Sequence, residues 1–253
     1  MTNMEEKSWW QEDWFWDAYR PLMFDPDRME DTPLEVDRIL ALTGLKAGDR
    51  FLDSCCGFGR HALEMARRGI IVTGVDRQED YILEAKDAAR KEGLDAAFVN
   101  QNTLSYRNPG AFDGAMNFFT SFGYFEDEEE EEQAVRNVYD SLKPGGFFLI
   151  DIQGKELLAR NFKERDWFER NGYKIFLEYK IVDAWTKLEN RWMFIPMGGG
   201  KLTEISFTHR IYSALELASL LGRCGFEEVE LYGSLLGTPY DDKAERLIAV
   251  GRK

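Results

Sequence analysis

Between Arg50 and Ile152 short apolar runs alternate with longer stretches whose apolar residues recur at helical spacing. The runs near 50–54, 70–76, 96–100, 113–119 and 146–152 read as strands. The stretches near 58–69, 79–92 and 127–142 read as helices. Gly69 and Gly93 end the first two helices, and Lys143-Pro144-Gly145-Gly146 ends the third. Strands in alternation with helices imply a parallel sheet with right-handed crossovers.

From about residue 153 to 211 that rhythm breaks. The runs Lys174 to Ile181, Arg191 to Ile195 and Leu202 to Thr208 are β-rich and separated by turn signals, Gly198-Gly199-Gly200 among them. They predict an antiparallel insertion. Ser213 to Cys224 then reads as a helix, with Ser213 as cap, Glu216 three residues on and Gly225 at the end. Strands near 226–234 and 245–252 would complete the sheet. Ahead of all this, the first 50 residues look helical and aromatic, with Trp9, Trp10, Trp14, Phe15, Trp16, Tyr19 and Phe24. Leu34, Val36, Ile39, Leu40 and Leu42 predict a helix over Pro33 to Thr43, stopped by Gly44. The expected organisation is a helical cap over 1–48, a core over 49–152 and 212–253, and a β-rich insertion over 153–211.

Composition narrows the function classes. At 253 residues the chain can bury a substantial core without staples. Its 46 acids against 32 bases give a net charge of −14, which argues against a nucleic-acid partner, since phosphate binding needs a basic face. The three cysteines form no CxxC pair, so neither a disulfide framework nor a zinc site is expected and a reducing cytoplasm suits the chain. Met1 to Lys7 lack the pattern of a leader, and no run approaches the ~18 apolar residues of a membrane span. Glu126 to Glu132 are seven consecutive acids. Consecutive helical residues point in different directions, so a solvated helix start is expected there rather than a metal site.

The candidate chemistry sits in Phe51-Leu52-Asp53-Ser54-Cys55-Cys56-Gly57-Phe58-Gly59-Arg60-His61-Ala62. An apolar run ends in an acid, passes two glycines and opens into a helix, so a ligand can lie against bare backbone. Gly57-x-Gly59-x-x-Ala62 meets the loose dinucleotide fingerprint, with Asp76 17 residues after Gly59. Yet Asp53 at the strand end would repel a pyrophosphate and attract a cationic amino group.

With the later Gly74-Val75-Asp76, Asn117 to Tyr124 and Lys143 to Gly146, the chain resembles class I S-adenosylmethionine-dependent methyltransferases. The likeness is to a bacterial small-molecule branch with D-x-C-C-G-x-G-R-H glycine loops, over essentially residues 9–253. It implies an α/β, Rossmann-like, doubly wound, seven-stranded and mostly parallel sheet. By position it places Asp53 beside the methionine amino group, directly or through a water. The backbone of Cys55, Gly57 and Gly59 would line the methionine and ribose. Asp76, followed by Arg77, would accept from both ribose hydroxyls, and Asn117 and Phe118 would face the methionine portion. The family often has an acid after the third strand to read the adenine amino group; Val99-Asn100-Gln101-Asn102 has none, leaving an amide oxygen of Asn100 or Gln101 for that bond.

The acceptor is less legible. The insertion is expected to wall the acceptor pocket, with Trp192, Phe194, His209 and Arg210 as candidates. Trp14 and Tyr19 come from the cap, and Ser121 and Tyr124 follow the fourth strand. His209 and Tyr124 are the candidates for a general base. A small-molecule acceptor methylated on nitrogen or oxygen is the leading expectation. A tRNA or protein acceptor, a non-catalytic cofactor-binding protein and a nicotinamide oxidoreductase are the alternatives.

Overall fold

The computed structural model describes residues 8–23 and 25–253, with the backbone alone for Pro21 and Asp27. Phe24 and the Met1 to Lys7 segment lie outside the described residues. A 3-10 turn at Trp9–Gln11 leads into α1 (Asp13–Met23) and α2 (Pro26–Thr43). There follow β1 (Arg50–Ser54), α3 (Arg60–Arg67), β2 (Ile71–Asp76), α4 (Glu79–Glu92) and β3 (Ala96–Asn100). Next come β4 (Phe112–Asn117), α5 (Glu128–Ser141), β5 (Leu142–Ile152) and α6 (Lys155–Asn161). Then β6 (Arg165–Arg170), β7 (Tyr173–Val182), β8 (Lys187–Pro196) and β9 (Thr203–Arg210) precede α7 (Ala214–Arg223), β10 (Glu228–Tyr232) and β11 (Leu247–Arg252).

Two compact units divide these elements. The larger holds Asp31–Asn161 and Ile211–Lys253. Its sheet has seven strands in the order β10-β11-β5-β4-β1-β2-β3. β1 to β5 pair in parallel, while β11 runs antiparallel to β5 and β10 antiparallel to β11. Successive residues of a strand face opposite sides of the sheet. Phe51 therefore packs with Val36, Ile39, Met65 and Phe98, and Leu52 with Val135, Val138, Leu217 and Leu220. Both faces are covered, which is why β1 reads as a continuous apolar run.

The smaller unit joins the chain up to Glu30 with Phe162–Arg210. Its four strands pair antiparallel in the order β6-β7-β8-β9. Ile175, Leu177, Phe194 and Ile205 form one buried face together with Phe15 and Leu22 of α1. The alternate positions mix charged and apolar residues, and there Arg191 pairs with Glu178 and Glu204, both at 2.9 Å.

Several expectations need correction. The helical cap is not one unit, because the aromatics of α1 pack on β7–β9 while Val36, Ile39 and Leu45 join the core around β1. The insertion begins at Phe162 rather than 153, since α6 packs into the larger unit through Leu157 and Leu158. The helix expected from Pro33 starts at Pro26, a residue suited to a first helical position, and Pro33 lies inside it. Lys143-Pro144-Gly145-Gly146 is no free turn. It forms the start of β5, where the register to β4 shifts between Phe112 and Gly114 and the Gly145 N–H donates to the Lys253 carbonyl at 2.8 Å.

Candidate active site

The order of the large sheet reverses between β1 and β4, so the crevice beyond their carboxyl ends is the place where an open α/β sheet binds ligands. Asp53 is the penultimate residue of β1, paired across to Gly74 and Met116, and only 3% of it is exposed. Burial and the nearby Asp76 carboxylate push its pKa up to about 8, against the pull of Arg60 and the Ala62 N–H. A cation placed beside such an acid favours its ionised form, so binding a cationic group here is coupled to loss of the proton.

The turn after β1 is left-handed at Cys55, Gly57 and Gly59, with φ of 65°, 56° and 82°. A Cβ on Gly57 would meet nothing within 4 Å, so open space lies over this backbone. A Cβ on Gly59 would stand 2.8 Å from the Phe98 ring and 3.2 Å from Ala85, so the second glycine also serves close packing of helix on sheet. The Gly57 N–H donates to Asp76 Oδ2 at 2.8 Å and the Gln78 N–H to Oδ1 at 2.9 Å. These bonds, with a further one from the Arg77 N–H, fix the carboxylate, whose two oxygens offer about four acceptor sites in all. Burial raises the Cys55 and Cys56 thiols, with Asp53 and Asp76 adding to it, which disfavours a nucleophilic thiolate.

At the end of β3 the Asn100 Nδ2 donates to the Arg77 carbonyl at 2.8 Å. Gln101 donates from Nε2 to Ser105 Oγ at 3.3 Å and from its N–H to the Asp76 carbonyl at 2.9 Å. At the end of β4 the Asn117 amide donates to the Ser121 carbonyl at 2.9 Å. Its Oδ1 is buried without a hydrogen-bond partner. Such an orphaned acceptor is costly unless a ligand supplies the donor. The Phe118 ring packs 4.8 Å from the His61 ring and beneath the Arg246 guanidinium, so its side chain belongs to the core. Tyr124 is half-buried in the loop that follows.

One group of residues in this unit escapes sequence reasoning. Glu35 of α2 accepts from Arg60 Nη1 at 2.7 Å and from His61 Nε2 at 3.0 Å. Burial works to raise the Glu35 carboxyl, but the bonds from His61 and Arg60 and their charge outweigh it and hold the pKa near 2. Burial lowers His61 to about 4, against the pull of Glu35, so the imidazole is neutral at pH 7. The available signal is an acid on the buried face of a helix, beside Thr32, Val36 and Ile39.

The other acceptor-side candidates lie in the smaller unit. Trp14 is 53% exposed. The Tyr19 and Trp192 rings lie 5.1 Å apart, and Trp192 also meets Phe207 at 5.1 Å. Trp192 Nε1 is buried without a partner. His209 stacks on Phe207 at 5.9 Å and meets Asn190 Nδ2 at 3.2 Å, and burial lowers its pKa to about 4. Among the described residues no cluster of His, Cys, Asp and Glu could hold a metal ion, and no helix is long and apolar enough to cross a membrane.

Residues 51–146 match a protein-family model described as a methyltransferase domain. That span carries Asp53, the glycine turn, Asp76 and Asn117. Carboxy-S-adenosyl-L-methionine synthase of Nautilia profundicola is 26% identical over 216 residues, covering 81% of this chain and 80% of that protein. An S-adenosylmethionine-dependent methyltransferase structure from Clostridium acetobutylicum matches with a TM-score of 0.75 at 17% identity, over 95% of this chain and 98% of that one. The S-adenosylmethionine-bound amino pentose methyltransferase of Micromonospora echinaspora gives a TM-score of 0.66 at 19% identity, over 100% and 99%. These structures share the fold.

Proposed function

We propose that this S-adenosylmethionine-dependent methyltransferase, class I by its domain and fold, methylates nitrogen or oxygen of a small molecule. The observation that carries the acceptor class is the reach of the likeness to the amino pentose methyltransferase. It runs through the whole chain, β6–β9 included, rather than stopping at the methyltransferase domain. The net charge of −14 also favours a neutral or cationic acceptor over RNA.

The residues present fit the cofactor. The rigid Asp76 fork suits a ribose diol, and the open space over Gly57 suits a ligand lying on the backbone between Cys55 and Gly59. Asp53 and the unpartnered Asn117 Oδ1 suit an ammonium group. The amide oxygen of Asn100 or Gln101 suits the adenine amino group. When bound, the cofactor supplies a methyl group already activated by a positive sulfur.

What remains for the chain is to bind, orient and exclude water. Holding the acceptor atom about 3–3.5 Å behind the methyl carbon can lower the barrier by about 7–11 kcal/mol. His209, lowered to about 4, is a weak proton acceptor at pH 7. An amine that enters already deprotonated needs no such base. Ser121, Tyr124, Trp14, Tyr19, Trp192 and His209 are our candidates for acceptor recognition.

Incubation with methyl-labelled cofactor and fractionated metabolites tests the proposal. Label in a small product supports it. Label only in RNA or protein, or no product from protein that binds S-adenosylhomocysteine, overturns it.

A further inference from the structure

We propose that Asp151, gripped by Arg246, is a positioning residue that presents Asn117 to the cofactor. The inference rests on the reading that the end of β4 faces the methionine portion. Asp151 lies near the end of β5 and is 1% exposed. Its Oδ2 accepts the Phe119 N–H at 2.9 Å, and its main-chain carbonyl accepts the Thr120 N–H at 3.0 Å. Phe119 and Thr120 are both left-handed, at φ 62° and 58°. Residues with side chains seldom adopt that conformation, and two in succession persist only where the surroundings enforce them. The enforced turn folds back so that the Ser121 carbonyl meets Asn117 Nδ2 at 2.9 Å. That bond and the contact of the Asn117 side chain with Cys55 set which way the amide lies, and Oδ1 is the orphaned acceptor.

Arg246 donates from Nε to Asp151 Oδ1 at 2.6 Å and from Nη2 to Oδ2. Its guanidinium lies 4.8 Å over the rings of both Phe118 and Phe119. Nη1 stands 3.6 Å from Glu35, whose other oxygen binds Arg60 and His61 in the first turn of α3. One chain of ion pairs thus ties the strained turn after β4 to the helix that follows the glycine turn. Buried ion pairs contribute little net stability compared with apolar packing, and in some proteins they serve instead to select one arrangement. Here the enforced arrangement is the one that aims Asn117.

The test is a double-mutant cycle of Asp151→Asn with Asn117→Ala, read as the Kd for S-adenosylhomocysteine, with melting temperature and circular dichroism in parallel. Asp151→Asn and Asn117→Ala should each weaken binding about tenfold, the loss expected for one hydrogen bond to a charged group. The double variant should be no weaker than the worse single one. Arg246→Lys, which keeps the charge but loses the fork, should show the same non-additivity and serves if Asp151→Asn does not fold. Additive losses, or a lowered melting temperature with unchanged Kd, overturn the proposal. Asp76→Ala is the control for the site itself. Binding lost there but intact in Asp151→Asn rejects the positioning role alone, whereas binding intact in both rejects the site.

Discussion

Asp53 should release a proton when the cofactor or its demethylated product binds. In the ligand-free protein burial and the Asp76 carboxylate hold its pKa near 8, so at pH 7 about nine-tenths of the molecules carry a neutral acid. An ammonium group beside it favours the carboxylate. Ionising the group one pH unit below its pKa costs about 1.4 kcal/mol, a factor of about ten in affinity. Between pH 6 and 7.5 the affinity for S-adenosylhomocysteine should therefore rise close to tenfold per unit, then level off above pH 8. Calorimetry in two buffers of different ionisation heat should count nearly one proton released at pH 7. Asp53→Asn should bind more weakly and show a flat profile. A wild-type affinity that does not change over this range, with no buffer-dependent heat, would refute the reasoning.

Other outcomes follow from the same groups. Because the folded protein holds a proton on Asp53 that the unfolded chain releases above about pH 4, ligand-free stability should fall as pH rises from about 4 to about 8; Asp53→Asn should melt higher than wild type at pH 8, the gap closing near pH 4. Gly57→Ala places a Cβ in the open space and should mainly weaken cofactor binding, with a left-handed penalty of roughly 1–2 kcal/mol in denaturant melts. Gly59→Ala should lose roughly 1–3 kcal/mol more than Gly57→Ala, because its Cβ meets the Phe98 ring. Glu35→Ala removes the carboxylate that Arg60, His61 and Arg246 share, while Arg60 keeps its bond to Thr32, and should cost up to about 3–5 kcal/mol at pH 7 in urea unfolding. Its contribution is present above about pH 4 and lost as pH falls towards 2, so wild type and variant should converge in acid.

The parts of the fold that the sequence announces are those where one physical signal dominates. β1 ends at Ser54 because the apolar run stops at an acid and a glycine turn, and α4 occupies 79–92 because Gly93 adopts a left-handed C-cap. The Ser213–Glu216 capping box forms as read, with the Ser213 N–H donating to Glu216 Oε2 at 2.7 Å. Where signals compete, the pattern fails. β6 is an edge strand whose first three residues are exposed and whose ends are charged, and the β-rich runs read from the sequence do not include it. Within the acid run Glu131 is fully buried and accepts the Phe125 N–H at 3.1 Å, a distinction that a string of like residues conceals. The Glu35–Arg60–His61 and Asp151–Arg246 contacts join residues from distant parts of the chain, and no local spacing encodes them. Asp53, Asp76 and Asn117 stand at or beside the carboxyl ends of β1, β2 and β4, where an open parallel sheet presents ligand-facing groups, so an apolar run ending in a polar residue is the signal that proposes them.

The proposed site holds adenosine in the first crossover through Asp76. Titration of wild type and Asp76→Ala with S-adenosylhomocysteine, with circular dichroism to confirm the fold, tests it most directly. Loss of two hydrogen bonds to a carboxylate predicts at least about a hundredfold weaker binding by the variant. Equal dissociation constants for the two proteins would place the nucleoside away from Asp76.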